Sequence, residues 1–169
     1  MPSTRFQRIV FAFLSVLITV PVFVCYNIAF EMGGMSNQVF VAALKWIPIE
    51  FAFAFLLETL LVGRLANILA FRAVNPAENK PFIVMTAIIC STVCLMCPMM
   101  SFIATIIYNG INVEFLANWM QKVVRNFPLA FFSQLFFIQP FVRFLFGVIF
   151  SKQLKAAAEA STAEMTEVA

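Results

Sequence analysis

The chain has 169 residues, of which 63% are hydrophobic and only 11% charged, with a formal net charge of +3. This composition excludes a soluble domain, because a chain of this length could not bury so much apolar surface. The 11 Lys and Arg residues are scattered along the sequence, so they form no basic stripe of the kind that follows a nucleic-acid backbone. We therefore expect the lipid bilayer to be the partner of this chain, and we expect no nucleic acid.

Four apolar runs reach the ~20 residues that a helix needs to cross ~30 Å of hydrocarbon. They are Ile9 to Phe30, Ile47 to Phe71, Phe82 to Tyr108 and Val123 to Phe150. These runs predict a cytoplasmic segment 1–8, a first transmembrane hairpin 9–71, a linker 72–81, a second transmembrane hairpin 82–150 and a cytoplasmic tail 151–169. The tail is rich in Ala and Glu, which predicts a frayed helix or disorder. Residues 112–126, before the last run, predict a short helix in the membrane interface.

Lys and Arg are distributed unequally between the two sides of the predicted membrane. One side carries Arg5, Arg8, Arg64, Arg72, Lys80, Arg143, Lys152 and Lys155. The other side carries Lys45, Lys122 and Arg125. Because positive charge in short loops accumulates on the cytoplasmic side, this asymmetry predicts a multi-pass protein of the cell membrane with both termini in the cytoplasm.

Landmark residues recur along the chain at a spacing of 77 positions. The pairs are Pro21 and Pro98, Gly33 and Gly110, and Lys45 and Lys122. Each half is then a hairpin that begins on the same side of the membrane, so the two hairpins form a parallel repeat, which indicates a duplication. The predicted fold class is an all-α, integral membrane four-helix bundle built from two parallel-repeat helical hairpins. We expect such a bundle to be too thin to enclose a pore alone, which points to a homo-oligomer.

The second half also carries a family resemblance. Its features are Asn109-Gly110-Ile111, Phe115-Leu116-Ala117-Asn118-Trp119, Phe127-Pro128-Leu129-Ala130-Phe131 and Gln139-Pro140-Phe141-Val142-Arg143. This pattern resembles bacterial membrane proteins of the domain-of-unknown-function family 2798, a two-helix membrane unit. The first half matches more loosely and has Gly63 in place of the proline, so the resemblance suggests two copies over residues 6 to 150. It implies a membrane architecture and no known activity, substrate or catalytic residue.

Three cysteines lie on one predicted helix face, because Cys90, Cys94 and Cys97 are spaced i, i+4 and i+7. Thiolates are soft ligands that favour Cu(I) or Zn, so this face could bind a metal or carry redox chemistry. The same stripe continues through the small residues Ser101 and Ala104, which is typical of close helix packing in lipid. Since the chain has no His and no Asp to complete a ligand set, packing is the favoured interpretation and no metal or other cofactor is predicted.

Glu58 lies near the middle of the second apolar run, where a charged side chain costs about 3 kcal/mol or more. At the spacing of 77 residues Glu58 aligns with Leu135, which puts Ser133 and Gln134 at the same depth. Thr19 of the first run reaches a similar level, so these side chains predict a polar cluster in the membrane. The cluster could hold the bundle together by hydrogen bonds, or it could be a proton or cation site in a transport path.

The other charged residues inside the runs have simpler interpretations. Arg64 is about 240° around the helix from Glu58, so we expect it to extend toward the inner interface. Glu50, Arg125 and Arg143 lie near interfaces and are expected to reach water by extending. No chemistry is assigned to them.

The sequence has no nucleophile with a His base, no paired carboxylates and no phosphate-binding glycine loop, so we do not expect an enzyme. Two classes of function remain. The favoured class is a structural or interaction protein whose polar groups are all satisfied within packed helices. The alternative is a small transporter, or a subunit of one, for protons, cations or a small solute. A polar cavity that reaches water distinguishes them, because only the transporter requires it.

Overall fold

The computed structural model of the chain describes residues 4–76 and 78–151 and contains four long helices. They are α1 (Arg5–Glu31), α2 (Asn37–Ala73), α3 (Pro81–Asn109) and α4 (Phe115–Ile149). All four are long and apolar enough to cross a membrane, and no strand occurs within the described ranges. The all-α four-helix bundle predicted from the sequence is therefore confirmed. The structure predicted for the tail concerns residues that lie almost entirely outside the described ranges.

Two of the helices begin well before the apolar runs that predicted them. α2 starts at Asn37 and α4 at Phe115, whereas the runs start at Ile47 and Val123. Hydropathy detects only the part of a helix that lies in hydrocarbon, and both helices continue past it. The separate interfacial helix predicted for residues 112–126 is wrong, because Phe115–Ser133 is one continuous helix that extends into the fourth apolar run.

The two hairpins bury equivalent residues. In α1 the shared buried positions are Val16, Val20, Val24, Asn27 and Ile28, and in α3 they are Val93, Cys97, Ser101, Ala104 and Thr105, each 77 residues later. In α2 they are Glu50, Ala54, Val62, Ala66 and Ala70, and in α4 they are Asn126, Ala130, Ile138, Val142 and Phe146, each 76 residues later. The second hairpin is thus one residue shorter before its second helix, and Glu58 aligns with Gln134 instead of Leu135.

Both second helices contain one wide π turn at the equivalent place. The turn covers Glu58–Val62 in α2 and Gln134–Ile138 in α4. Ala54 and Val62 are eight residues apart, and both are fully buried. In a regular α-helix, eight residues would turn the side chain of Val62 about 80° around the axis from that of Ala54, away from the buried face. The π turn absorbs this extra residue, so that both ends of the helix face the bundle centre.

Different residues support the two π turns. A Cβ atom at Gly63 would lie 2.9 Å from the carbonyl oxygen of Glu58, so α2 needs glycine at this position. In α4, Pro140 follows the π turn and provides no backbone N–H, which weakens regular α-helical bonding there. Side chains bond to nearby carbonyls in both helices: the Thr59 hydroxyl donates to Phe55 O at 2.7 Å, and the Ser133 hydroxyl donates to Leu129 O at 2.5 Å.

The helices pack in a ring, and each pair of neighbours meets mainly at one end. α1 packs on residues 37–57 of α2, and α3 packs on residues 115–133 of α4, close to the loops that join each hairpin. At the other end, residues 63–73 of α2 pack on α3, while residues 139–149 of α4 contact α1 less extensively. We call this second end the basic end, because Arg5, Arg8, Arg64 and Arg143 lie there, and the first the closed end. The ring leaves a space along its centre.

Candidate functional site

The space between the helices is a cavity of about 1170 Å³. All four helices contribute polar side chains to its wall, which include Ser15, Thr19, Asn27, Glu50, Glu58, Thr59, Asn67, Thr92, Ser101, Asn126, Gln134 and Gln139. Arg5, Arg8, Arg64 and Arg143 line it at the basic end, and Glu50 and Asn126 line it nearest the closed end. One bundle therefore has a cavity between its helices that ends at the closed end, and the expectation that four helices are too thin to enclose a pore alone stays a prediction.

The cluster predicted around Glu58 is assembled in part. The Gln134 amide donates to the Thr19 hydroxyl at 3.1 Å and joins α4 to α1, and the Gln139 amide donates to Gln134 Oε1 at 3.3 Å. Glu58 is partly buried and lines the same cavity, and its carboxylate makes no hydrogen bond or ion pair within residues 4–76 and 78–151. Ser133 bonds only to its own helix and stands apart from the cavity wall.

The arginines at the basic end do not all behave as expected. Arg64 is exposed at this end, and it also lines the cavity together with Glu58, because the π turn between them changes the angle of 240° that a regular helix would give. Arg143 is partly buried and lines the cavity instead of extending fully into water. Its Nε atom is buried and has no hydrogen-bond partner in the described part of the chain. The Arg143 Nε–H is therefore a buried donor that is left unsatisfied by the described residues.

The three cysteines do not share an environment. Cys90 and Cys94 are exposed on the outer surface of α3, whereas Cys97 is buried and its thiol lies 3.9 Å from Val123 O of α4. Cys25 is partly buried on α1, and all four thiols are free. No group of three or more Cys, Asp, Glu or His in the described residues could hold a metal ion. The outward cysteines face the zone where lipid would lie.

At the closed end of the cavity, Glu50 is a buried carboxylate. It is only 3% exposed, so the expectation that it reaches water is wrong. The Tyr108 hydroxyl of α3 donates to Glu50 Oε1 at 2.5 Å, and the Trp46 ring packs on the Tyr108 ring with centroids 5.7 Å apart. These contacts join α2 to α3 and cover the end of the cavity.

A buried lysine completes this closure. Lys122 is 4% exposed and its Nζ lies 2.6 Å from Glu31 Oε1 of α1 and 2.8 Å from Asn109 Oδ1 of α3. One side chain of α4 thereby connects three helices. We define the gate layer as the set of side chains that joins the helices at the closed end: Asn27, Glu31, Glu50, Tyr108, Asn109, Lys122 and Arg125.

Arg125 belongs to the gate layer and does not extend freely into water. Its guanidinium lies 4.2 Å from the centre of the Phe30 ring, and its Nη2 donates to Asn27 Oδ1 at 3.3 Å. The sequence predicted no contact between helices for Lys122 or Arg125. The signal that could have found the layer is the helical spacing of Lys122, Arg125 and Asn126, which puts three polar side chains on one side of α4.

The fold and the site together define a four-helix bundle whose helices are long and apolar enough to cross a membrane, with a central cavity lined by polar and apolar side chains. The chain belongs to the family of the "Domain of unknown function (DUF2798)", whose model matches residues 79–150, which is the second hairpin. It is 32% identical over 112 residues to the uncharacterised protein YybC of Bacillus subtilis (strain 168). The aligned region covers 64% of this chain and 70% of YybC. The family resemblance seen in the sequence is confirmed, with the match to one of the two suggested copies. No solved structure matches the chain.

Proposed function

We propose that this protein is a non-enzymatic carrier of a small solute, or a subunit of one, and that the central cavity is its solute-binding site. One observation carries the proposal: a cavity of about 1170 Å³, whose mostly apolar wall carries polar side chains from all four helices, reaches the basic end and stops at the gate layer. A structural protein would satisfy its polar groups by packing and would have no such space. Pockets of several hundred Å³ are typical of small-molecule sites.

The unsatisfied groups of the wall favour the same conclusion. Arg143 Nε and Asn126 Oδ1 are buried without a partner in the described residues, and Glu58 also bonds to none of them. A buried polar group that lacks a partner costs about 1–3 kcal/mol, which water or a solute in the cavity would recover. In this scheme the gate layer closes one side while the basic end is open.

The orientation of the carrier follows from its charges. Arg5, Arg8, Arg64 and Arg143 at the basic end support a cytoplasmic location for that end, which makes this state open to the cytoplasm of a bacterial cell. The equivalent burial of the two hairpins supports a duplication, in which the two copies rock against each other. Reporter fusions before residue 1 and after residue 169 test the orientation, because both reporters should then be active only in the cytoplasm.

Labelling with a thiol reagent tests whether the cavity holds water. Thr92 lines the cavity, and Cys94 is exposed on the other side of the same helix turn at nearly the same depth. A charged, impermeant thiol reagent added from the basic side should modify the variant Thr92→Cys, with the native cysteines replaced by serine. Cys94 as the single cysteine is the matched control and should stay unmodified, because lipid covers it.

Equal protection of both positions would leave a dry bundle and would contradict the carrier.

Glu58 provides the second test, because its carboxylate faces the cavity without a partner in the described residues. We expect the variant Glu58→Gln to fold normally and to lose most ion-dependent solute uptake in proteoliposomes. Uptake at the wild-type level would assign Glu58 a structural role only.

A further inference from the structure

The closed end of the cavity presents acceptors from three helices. Glu50 of α2, Ser101 of α3 and Asn126 of α4 all line the cavity where it meets the gate layer. Each of them is only 2–4% exposed, so each is packed among other side chains of the bundle. The Asn126 amide nitrogen donates to Ser101 Oγ at 3.4 Å, so Asn126 Oδ1 points away from this bond.

Two of these acceptors have capacity that the protein does not use. Asn126 Oδ1 is buried and has no hydrogen-bond partner in residues 4–76 and 78–151. Glu50 receives one hydrogen bond from the described residues, from Tyr108 to Oε1, which leaves Oε2 for a ligand. Ser101 Oγ accepts one bond and keeps a second lone pair. The site is therefore rich in acceptors and carries one carboxylate.

We propose that this end of the cavity binds the primary ammonium group of a small organic cation, a site that we call the ammonium site. The proposal rests on the carrier function and names the class of its solute. A primary ammonium has three N–H donors, which match Glu50 Oε2, Asn126 Oδ1 and Ser101 Oγ. A charge-assisted bond to Glu50 provides the largest part of the attraction.

The size of the cavity distinguishes an organic cation from a bare metal ion. About 1170 Å³ is far more than the ~30 Å³ that one water molecule occupies, so the space accommodates a carbon skeleton behind the charged group. The wall beside the ammonium site is apolar and includes Met96, Met100 and Ala104. A single carboxylate also suits a monovalent group better than a divalent metal.

The nearby cations do not oppose this assignment. Lys122 forms an ion pair with Glu31 at 2.6 Å, so its charge is balanced within the gate layer. Arg125 lines a separate small cavity together with Phe30 and Gln121, and is not part of the central wall. Arg5, Arg8 and Arg64 are exposed at the basic end, where lipid phosphates would neutralise them. Arg143 is partly buried and lines the cavity at that same end, opposite to the ammonium site.

Calorimetry on the full chain in lipid nanodiscs tests the ammonium site with five probes: n-butylammonium, tetramethylammonium, n-butanol, butyrate and sodium chloride. We expect n-butylammonium to bind at least tenfold more tightly than tetramethylammonium, which has no N–H donor, and n-butanol, which has no charge. The variants E50Q and N126L should each weaken n-butylammonium at least tenfold, and S101A about threefold. The exposed carboxylate variant E114Q is the matched control and should bind like the wild type.

Three outcomes would overturn the ammonium site: binding of n-butylammonium that is unchanged in E50Q, binding of butyrate alone, or binding of sodium alone. Thermal unfolding of each variant checks that it is folded. If E50Q does not fold, the affinity of S101A for n-butylammonium decides, because this substitution is a small change. Binding of n-butylammonium without uptake into proteoliposomes would refute the carrier and keep the site. Uptake of a solute that is unaffected by E50Q and S101A would refute the site and keep the carrier.

Discussion

Gly63 is required by the backbone at the end of the first π turn. In most helices a change from glycine to alanine stabilises by up to ~1 kcal/mol, because alanine loses less entropy. Here the new Cβ would lie 2.9 Å from the Glu58 carbonyl oxygen, so we expect Gly63→Ala to destabilise the protein by about 1–3 kcal/mol in thermal unfolding. Gly147→Ala is the matched control, because its Cβ would meet no atom within 4 Å. A higher melting temperature for Gly63→Ala would contradict the π turn.

Lys122 is the buried charge that holds the gate layer together. The variant Glu31→Gln leaves the Lys122 ammonium buried without its counter-ion, and we expect a loss on the order of 2 kcal/mol in unfolding free energy. This is less than for a fully buried pair, because the Glu31 side chain is 41% exposed. The double variant Glu31→Gln with Lys122→Met should regain most of the loss.

Exposed Glu114→Gln is the control for this comparison and should change stability by less than ~0.5 kcal/mol. If Glu31→Gln is equally harmless, the ion pair does not support the closed end. The measurement is reversible unfolding in detergent, followed by helical circular dichroism.

At the level of single residues, the sequence predicted part of the cavity wall. It selected Glu58, Thr19 and Gln134 because a polar side chain in the middle of an apolar run is costly in lipid and is expected to have a partner or a function. It missed Glu50 of the wall and Lys122 of the gate layer because both lie near the ends of their runs, where a long side chain is expected to reach water. Only the packing of the four helices decides whether such a residue extends outward or is covered.

The two π turns are the elements that give α2 and α4 their shape. Each contains one residue more than a regular helix would need, so removing that residue should leave both ends of the helix facing the core. We expect deletion of the exposed Leu60 to give a protein that folds with nearly normal stability and has lost solute uptake, because Glu58 moves. Purified yield, thermal unfolding and uptake measure this.

Deletion of the exposed Cys90 is the control, because α3 contains no π turn. That deletion rotates the rest of α3 by about 100°, so the protein should not accumulate. If both deletions are equally damaging, the extra residue in the π turn is not removable and the interpretation of the turn is wrong.

The elements themselves were largely predictable, because in lipid every backbone N–H and C=O must be bonded inside the segment. That requirement turns each apolar run into a helix, and all four helices were found. The π turns were not predictable, since Glu58–Val62 and Gln134–Ile138 carry no local signal apart from Gly63 and Pro140. The single spacing of 77 residues also concealed the shift to 76 in the second helices, and thus the pairing of Glu58 with Gln134.

On the scale of the whole molecule, the two hairpins meet through side-by-side packing and do not interlock. α3 packs on residues 63–73 of α2, and residues 139–149 of α4 contact α1. We therefore expect residues 1–76 and 77–169, expressed together as two separate chains, to insert and to co-purify in detergent, because each hairpin closes through its own loop. Failure of the two pieces to associate, with each piece present in the membrane, would show that the linker is needed to join them.

The lengths of the helices make the bundle sensitive to the thickness of the bilayer. α2 has 37 residues and α4 has 35, so a straight helix would be roughly 50–55 Å long, against ~30 Å of hydrocarbon. A thinner membrane is matched by a larger tilt, and the π turns are the natural joints at which the two parts of each helix can take different tilts. Because Glu58 and Gln134 begin those joints, acyl-chain length should alter the width of the cavity at their level. Uptake measured in a series of lipids with acyl chains of about 14 to 22 carbons should pass through an optimum. This range changes the hydrocarbon thickness by more than the few Å of mismatch that a bundle tolerates.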